Sequence, residues 1–70
     1  MTVDEVRALR PGDMIRVRGI GRPIKVARVC VGLTRGDDEV EMVEGYDHRG
    51  GCRTFLPERV VKVVSHAPAS

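Results

Sequence analysis

The sequence predicts a small, mainly β domain of five short strands, with a helical turn before the first strand and a one-turn 3₁₀ step before the last. Three observations carry this. Twelve of the 70 residues are valine, whose β-branched side chain is stiff at χ1 and fits a pleated surface better than a helix. Eight glycines and four prolines supply tight turns. The apolar residues alternate over short runs separated by polar or glycine clusters, the pattern of half-buried strands. One domain over residues 1–64, followed by a tail over 65–70, accounts for the chain. A domain of this size buries only about 60% of its unfolded-chain surface, so its core is thin.

Each element has a local reason. Thr2 followed by Glu5 has the capping-box pattern, and Val3, Val6 and Leu9 recur at one-turn spacing, so a helical turn is expected over residues 3–9, stopped by Pro11. Pro11-Gly12-Asp13 is a turn. Strand one, residues 14–18, puts Ile15 and Val17 on one face and Arg16 and Arg18 on the other. Gly19-Ile20-Gly21-Arg22-Pro23 cannot sustain a ladder and reads as a loop. Strand two runs from Ile24 to Leu33. Its alternation slips, because Ile24 and Val26 share one parity while Val29 and Val31 share the other. A bulge at Ala27-Arg28 accounts for the slip and bends the strand enough to serve two sheets. Strand three is Glu39–Tyr46, entered from a polar turn and left through the glycine-rich turn Asp47–Gly51. Strand four is Cys52–Leu56, Pro57-Glu58-Arg59 is the 3₁₀ step, and strand five is Val60–Val64.

This element order resembles the SH3-like barrel, on the residues Pro11-Gly12-Asp13 leading into Ile15-Arg16-Val17, and Phe55-Leu56-Pro57 leading into Val60-Val61-Lys62-Val63. Gly12-Asp13-Met14-Ile15-Arg16-Val17 with Gly19 is similar to the opening of KOW modules of ribosomal and transcription factors, although Pro23-Ile24-Lys25-Val26 lacks the glycine usual before the second strand. Gly45-Tyr46-Asp47, Arg53-Thr54-Phe55 and Glu58-Arg59-Val60 are similar to the C-terminal stretch of WYL domains, without their Trp-Tyr-Leu signature. The resemblance implies a non-enzymatic binding module, an accessory or regulatory protein of bacterial or phage type. Such barrels host many roles, so the fold alone does not choose one.

Charge is distributed in blocks. Residues 7–35 hold eight basic residues against Asp13 alone, residues 37–47 hold six acidic residues and no base, and residues 49–62 hold four bases against Glu58. Ten of the twelve bases are arginine, whose planar fork suits phosphate. Arg16, Arg18, Arg22, Lys25 and Arg28 are therefore the expected contacts to a DNA or structured-RNA backbone, with Gly19 and Gly21 letting the loop approach closely. The opposing reading is a solvated face, with Arg16 or Arg18 paired to Glu39 or Glu41 across a sheet. Tyr46 and Phe55 are the only aromatic residues, too few for base stacking along a single strand. The rival class is a protein-interaction or homodimer module, using Val60–Val64 or Ile24–Leu33 as an open strand edge.

Other chemistry is not expected. Cys30 and Cys52 lie far apart in sequence, unlike the close ligand pairs of zinc sites, so neither a metal nor another cofactor is expected. Asp47-His48 and Arg35-Gly36-Asp37 read as turn chemistry, and no nucleophile or oxyanion motif accompanies them. No run approaches the roughly 18 apolar residues of a membrane span and no signal-peptide pattern opens the chain. A cytoplasmic protein with reduced thiols is the expectation.

Overall fold

The computed structural model describes residues 1–68. A short helix α1 (Val3–Arg7) precedes the strands β1 (Met14–Val17), β2 (Ile24–Leu33), β3 (Glu39–Tyr46), β4 (Cys52–Phe55) and β5 (Val60–Ser65), with a 3₁₀ turn, Pro57–Arg59, between the last two. All five strands are antiparallel in one sheet of order β4-β3-β2-β1-β5. The mainly β, five-stranded architecture matches the sequence expectation, including the positions of the helix and the 3₁₀ turn. The strands form one sheet rather than two.

The core explains how that sheet curves. Ile15 and Val17 of β1, Ile24 and Val26 of β2, Val43 of β3, Phe55 of β4 and Val60 of β5 are all buried in one cluster, which Val6 of α1 completes. A single sheet can bury one face against itself only by rolling. The bulge at Ala27 assists, because Val26 pairs with Gly45 and Arg28 with Glu44, leaving Ala27 unopposed. The extra residue resets the parity, so Val29, not Arg28, joins Val26 on the core side. The slip in the sequence alternation thus has a structural cause.

The N-terminal turn forms as its capping box dictates. Thr2 Oγ1 accepts from the Glu5 amide at 3.2 Å, and Glu5 Oε1 accepts from the Thr2 amide at 3.0 Å. These bonds hold the Glu5 carboxyl below its usual range. The helix is shorter than the spacing predicted, ending at Arg7, while Leu9 still packs against the core.

Asp13 is the one buried charged residue among the described residues. Its Oδ2 accepts from the Arg10 amide at 3.0 Å and its Oδ1 from the Ala67 amide at 2.7 Å. Two distant backbone segments thus close on one carboxylate. The expected tail at 65–70 begins inside β5, since Ser65 pairs with Met14, and Ala67 is tied to Asp13. Residues 69–70 lie outside the described part.

Candidate functional site

The sheet sorts the predicted residues by face. In β1, Ile15 and Val17 point inward, so Arg16 stands outward. Pairing builds two adjacent rows on this outer face: Arg16 lies opposite Lys62 of β5, and two positions away on β1 Met14 lies opposite Lys25 of β2, Lys25 opposite Tyr46 of β3, and Tyr46 opposite Cys52 of β4. Together they put Lys62, Arg16 and Lys25 on one face, with Tyr46 beside Lys25 and 44% exposed. Among the described residues none of the three cations makes a salt bridge. The expected pairing of Arg16 or Arg18 with Glu39 or Glu41 does not occur. Glu41 is taken instead by Arg7, with Nε 2.5 Å from Oε1.

The loop after β1 holds the second group. Arg18 and Arg22 are exposed and likewise make no salt bridge among the described residues. Gly19 has φ +86°, a left-handed conformation in which a side chain would be strained, and it lies beside the Arg59 guanidinium. Gly21 stands in open space with an ordinary φ, so it supplies clearance and no special conformation. Arg59 was not among the expected contacts. Its Nη2 donates to the Arg18 carbonyl at 2.9 Å, its guanidinium lies 5.5 Å from the Phe55 ring centroid, and its own carbonyl accepts from the Arg18 amide at 2.9 Å. Arg59 therefore anchors the loop to the 3₁₀ turn and holds Arg18 at the rim of the outer face.

Arg28 differs from its neighbours. Its Nε is 2.9 Å from Glu44 Oε2, and this bond raises the Arg28 pKa and lowers that of Glu44. The Cys52 thiol donates to the other Glu44 oxygen at 3.4 Å, which pushes the thiol pKa upward. A neighbouring carboxylate that raises a thiol pKa suppresses the reactive thiolate. Arg28, Glu44 and Cys52 form a patch of paired groups beside the cations of the outer face, so Arg28, unlike Arg16, Lys25 and Lys62, carries a carboxylate partner.

The remaining chemistry-bearing residues serve turns. Asp47 Oδ1 accepts from the Arg49 and Gly51 amides at 2.9 and 2.8 Å. These bonds, with Arg53 nearby, hold its carboxyl below the usual range. Thr34 Oγ1 accepts from the Gly36 and Asp38 amides at 3.3 and 3.2 Å, so the Arg35-Gly36-Asp37 tripeptide sits in a turn. Cys30 and Cys52 are both free thiols. Among the described residues no three potential metal ligands gather, and no helix is long and apolar enough to cross a membrane.

Lys62 and Tyr46 are the residues the pairing adds to the predicted set. Lys62 joins through β1–β5 pairing, which brings together positions far apart in the chain and leaves no local trace. Comparison with family models, curated proteins and solved structures gives no match.

Proposed function

We propose that the protein is a non-enzymatic binding module that contacts a nucleic-acid backbone through the outer face of its sheet, using Arg16, Lys62 and Lys25 on the strands and Arg18 and Arg22 on the loop. The observation that carries this reading is the direct cross-strand pairing of Arg16 with Lys62. Like charges placed opposite each other on a sheet are destabilising. Here they stand with no carboxylate between them, on a small domain with little stability to spare. A polyanion would relieve that repulsion and release its own counterions on binding.

The contacts supported are to phosphate. One exposed tyrosine offers a single stacking surface beside Lys25, which favours a duplex or structured RNA over an extended single strand.

The test is a salt titration of binding to duplex DNA, structured RNA and single-stranded DNA. The expected result is a linear fall of log affinity with log salt, with a slope of about −3 to −4 on duplex DNA for four or so neutralised phosphates. Absence of binding at low salt would overturn the reading.

A second reading rests on β5, which among the described residues pairs with no strand other than β1, although the Met1 ammonium donates to its Val60 carbonyl. Val61 and Val64 are 53% and 46% exposed there. Such an edge accepts a strand from a partner or from a second copy of the chain. The other edge considered, Ile24–Leu33, divides: Ile24 and Lys25 are covered by β1, and only the stretch from Arg28 onward lacks a second neighbour.

A further inference from the structure

A groove of about 640 Å³ lies between the projecting β2–β3 hairpin and the α1 and 3₁₀ elements, on the core side of the sheet and away from the cationic row. Its apolar walls come from Val3 of α1, Val31 of β2, and Leu56 and Pro57 ahead of the 3₁₀ turn. Val31 is 62% exposed and Val3 43%. These side chains add nothing to the buried cluster, yet they share one concavity.

The groove is also acidic. Glu39, Glu41 and Glu58 line it against Arg7 and the Met1 ammonium, which donates to the Pro57 and Val60 carbonyls. Arg7 is already engaged by Glu41 Oε1, and Glu39 and Glu58 make no salt bridge among the described residues. The second Glu41 oxygen is shielded from solvent and accepts no hydrogen bond among the described residues. One acceptor of the carboxylate is therefore left without a donor at the groove wall. Val31 further belongs to the stretch of β2 that, among the described residues, pairs with β3 and with no second strand.

We infer that this groove docks an extended, basic and apolar segment of a partner protein, in which aliphatic side chains alternate with lysine or arginine. The aliphatic side chains cover Val3, Val31 and Leu56. The cations meet Glu39, Glu58 and the field of Glu41. The open β2 edge favours an extended backbone, which alternates its side chains between two faces. This site is separate from the nucleic-acid reading and stands or falls without it.

The test titrates the isotopically labelled full chain with a short peptide of alternating leucine and lysine, and with its leucine–glutamate counterpart. The lysine peptide should give saturable amide shifts at Val3, Val31, Glu41 and Leu56. The glutamate peptide should give none at these four residues. By fluorescence anisotropy, Val31→Thr should weaken binding about fivefold, and Arg16→Glu should leave it unchanged. Val31 lies outside the core, and threonine keeps a β-branched residue opposite Glu41 without adding charge, so the variant keeps a melting profile close to wild type. Shifts confined to the outer face, no saturable shifts, or equal binding of both peptides would overturn the proposal. A dimer of the free chain that Val31→Thr dissociates would also overturn it, assigning the groove to a second copy.

Discussion

Asp13 accepts hydrogen bonds from the Arg10 and Ala67 amides while only 2% exposed, and these bonds hold its carboxyl below the ordinary range. A carboxyl depressed in the folded state binds its proton more readily in the unfolded one. Stability therefore rises with pH between the folded value and the unfolded value of about 4, is fully present above that, and is lost as pH falls through the folded value. Asp13→Ala strands two amide donors in a part-buried site, which should cost on the order of 2 kcal/mol at pH 7. Denaturant titrations of wild type and variant should show that difference at pH 7 and a smaller one at pH 3. Arg28 and Arg16 give a second contrast at this scale. Glu44 already holds Arg28, whereas Arg16 faces only Lys62. Arg16→Ala should reduce the salt slope of nucleic-acid binding by about 1, and Arg28→Ala should leave it nearly unchanged.

At the scale of the element, the β2–β3 hairpin decides how the sheet is packed, and two glycines in it make opposite demands. A Cβ on buried Gly45 would lie 2.6 Å from Ile24 Cγ2 and 2.7 Å from the Lys25 carbonyl oxygen. One of those atoms is backbone and the other belongs to the core, so neither yields cheaply. A Cβ on Gly32 would meet the Met42 sulfur at 2.8 Å, the flexible part of a side chain that can swing aside. Gly45→Ala should therefore cost about 1–3 kcal/mol by overpacking, and Gly32→Ala should be nearly neutral. Thermal melts of the two variants check this. The elements themselves were legible because their signals are local: alternation in β1, the parity slip at Ala27, the capping box at Thr2, and Pro57 opening the 3₁₀ turn. What each strand faces was not legible. Arg7 reaches Glu41 across 34 positions, and Arg16 meets Lys62 only because β5 returns beside β1. Of the expected cationic site, Arg16, Arg18, Arg22 and Lys25 remain free of ion pairs among the described residues. Arg28 is neutralised by a partner that alternation could not assign, and Lys62 enters by a pairing that spacing does not encode.

For the molecule as a whole, the pairing of β1 with β5 is where stability and proposed function oppose each other. That pairing seats Val60 and Val63 against the core cluster, which a domain this small cannot forgo. The same register sets Lys62 beside Arg16 on the outer face. Replacing Lys62 with threonine keeps a β-forming residue at the position and removes one of the opposed charges. The variant should melt about 2 °C higher while binding duplex DNA more weakly, with a salt slope shallower by about 1. Lys62→Arg should restore the slope and the lower melting point together, because it returns the charge without changing the pairing. A charge-free variant that melts higher yet binds as wild type would separate the cationic row from nucleic-acid binding. That outcome would leave the β5 edge, with Val61 and Val64, as the face by which the domain meets its partner.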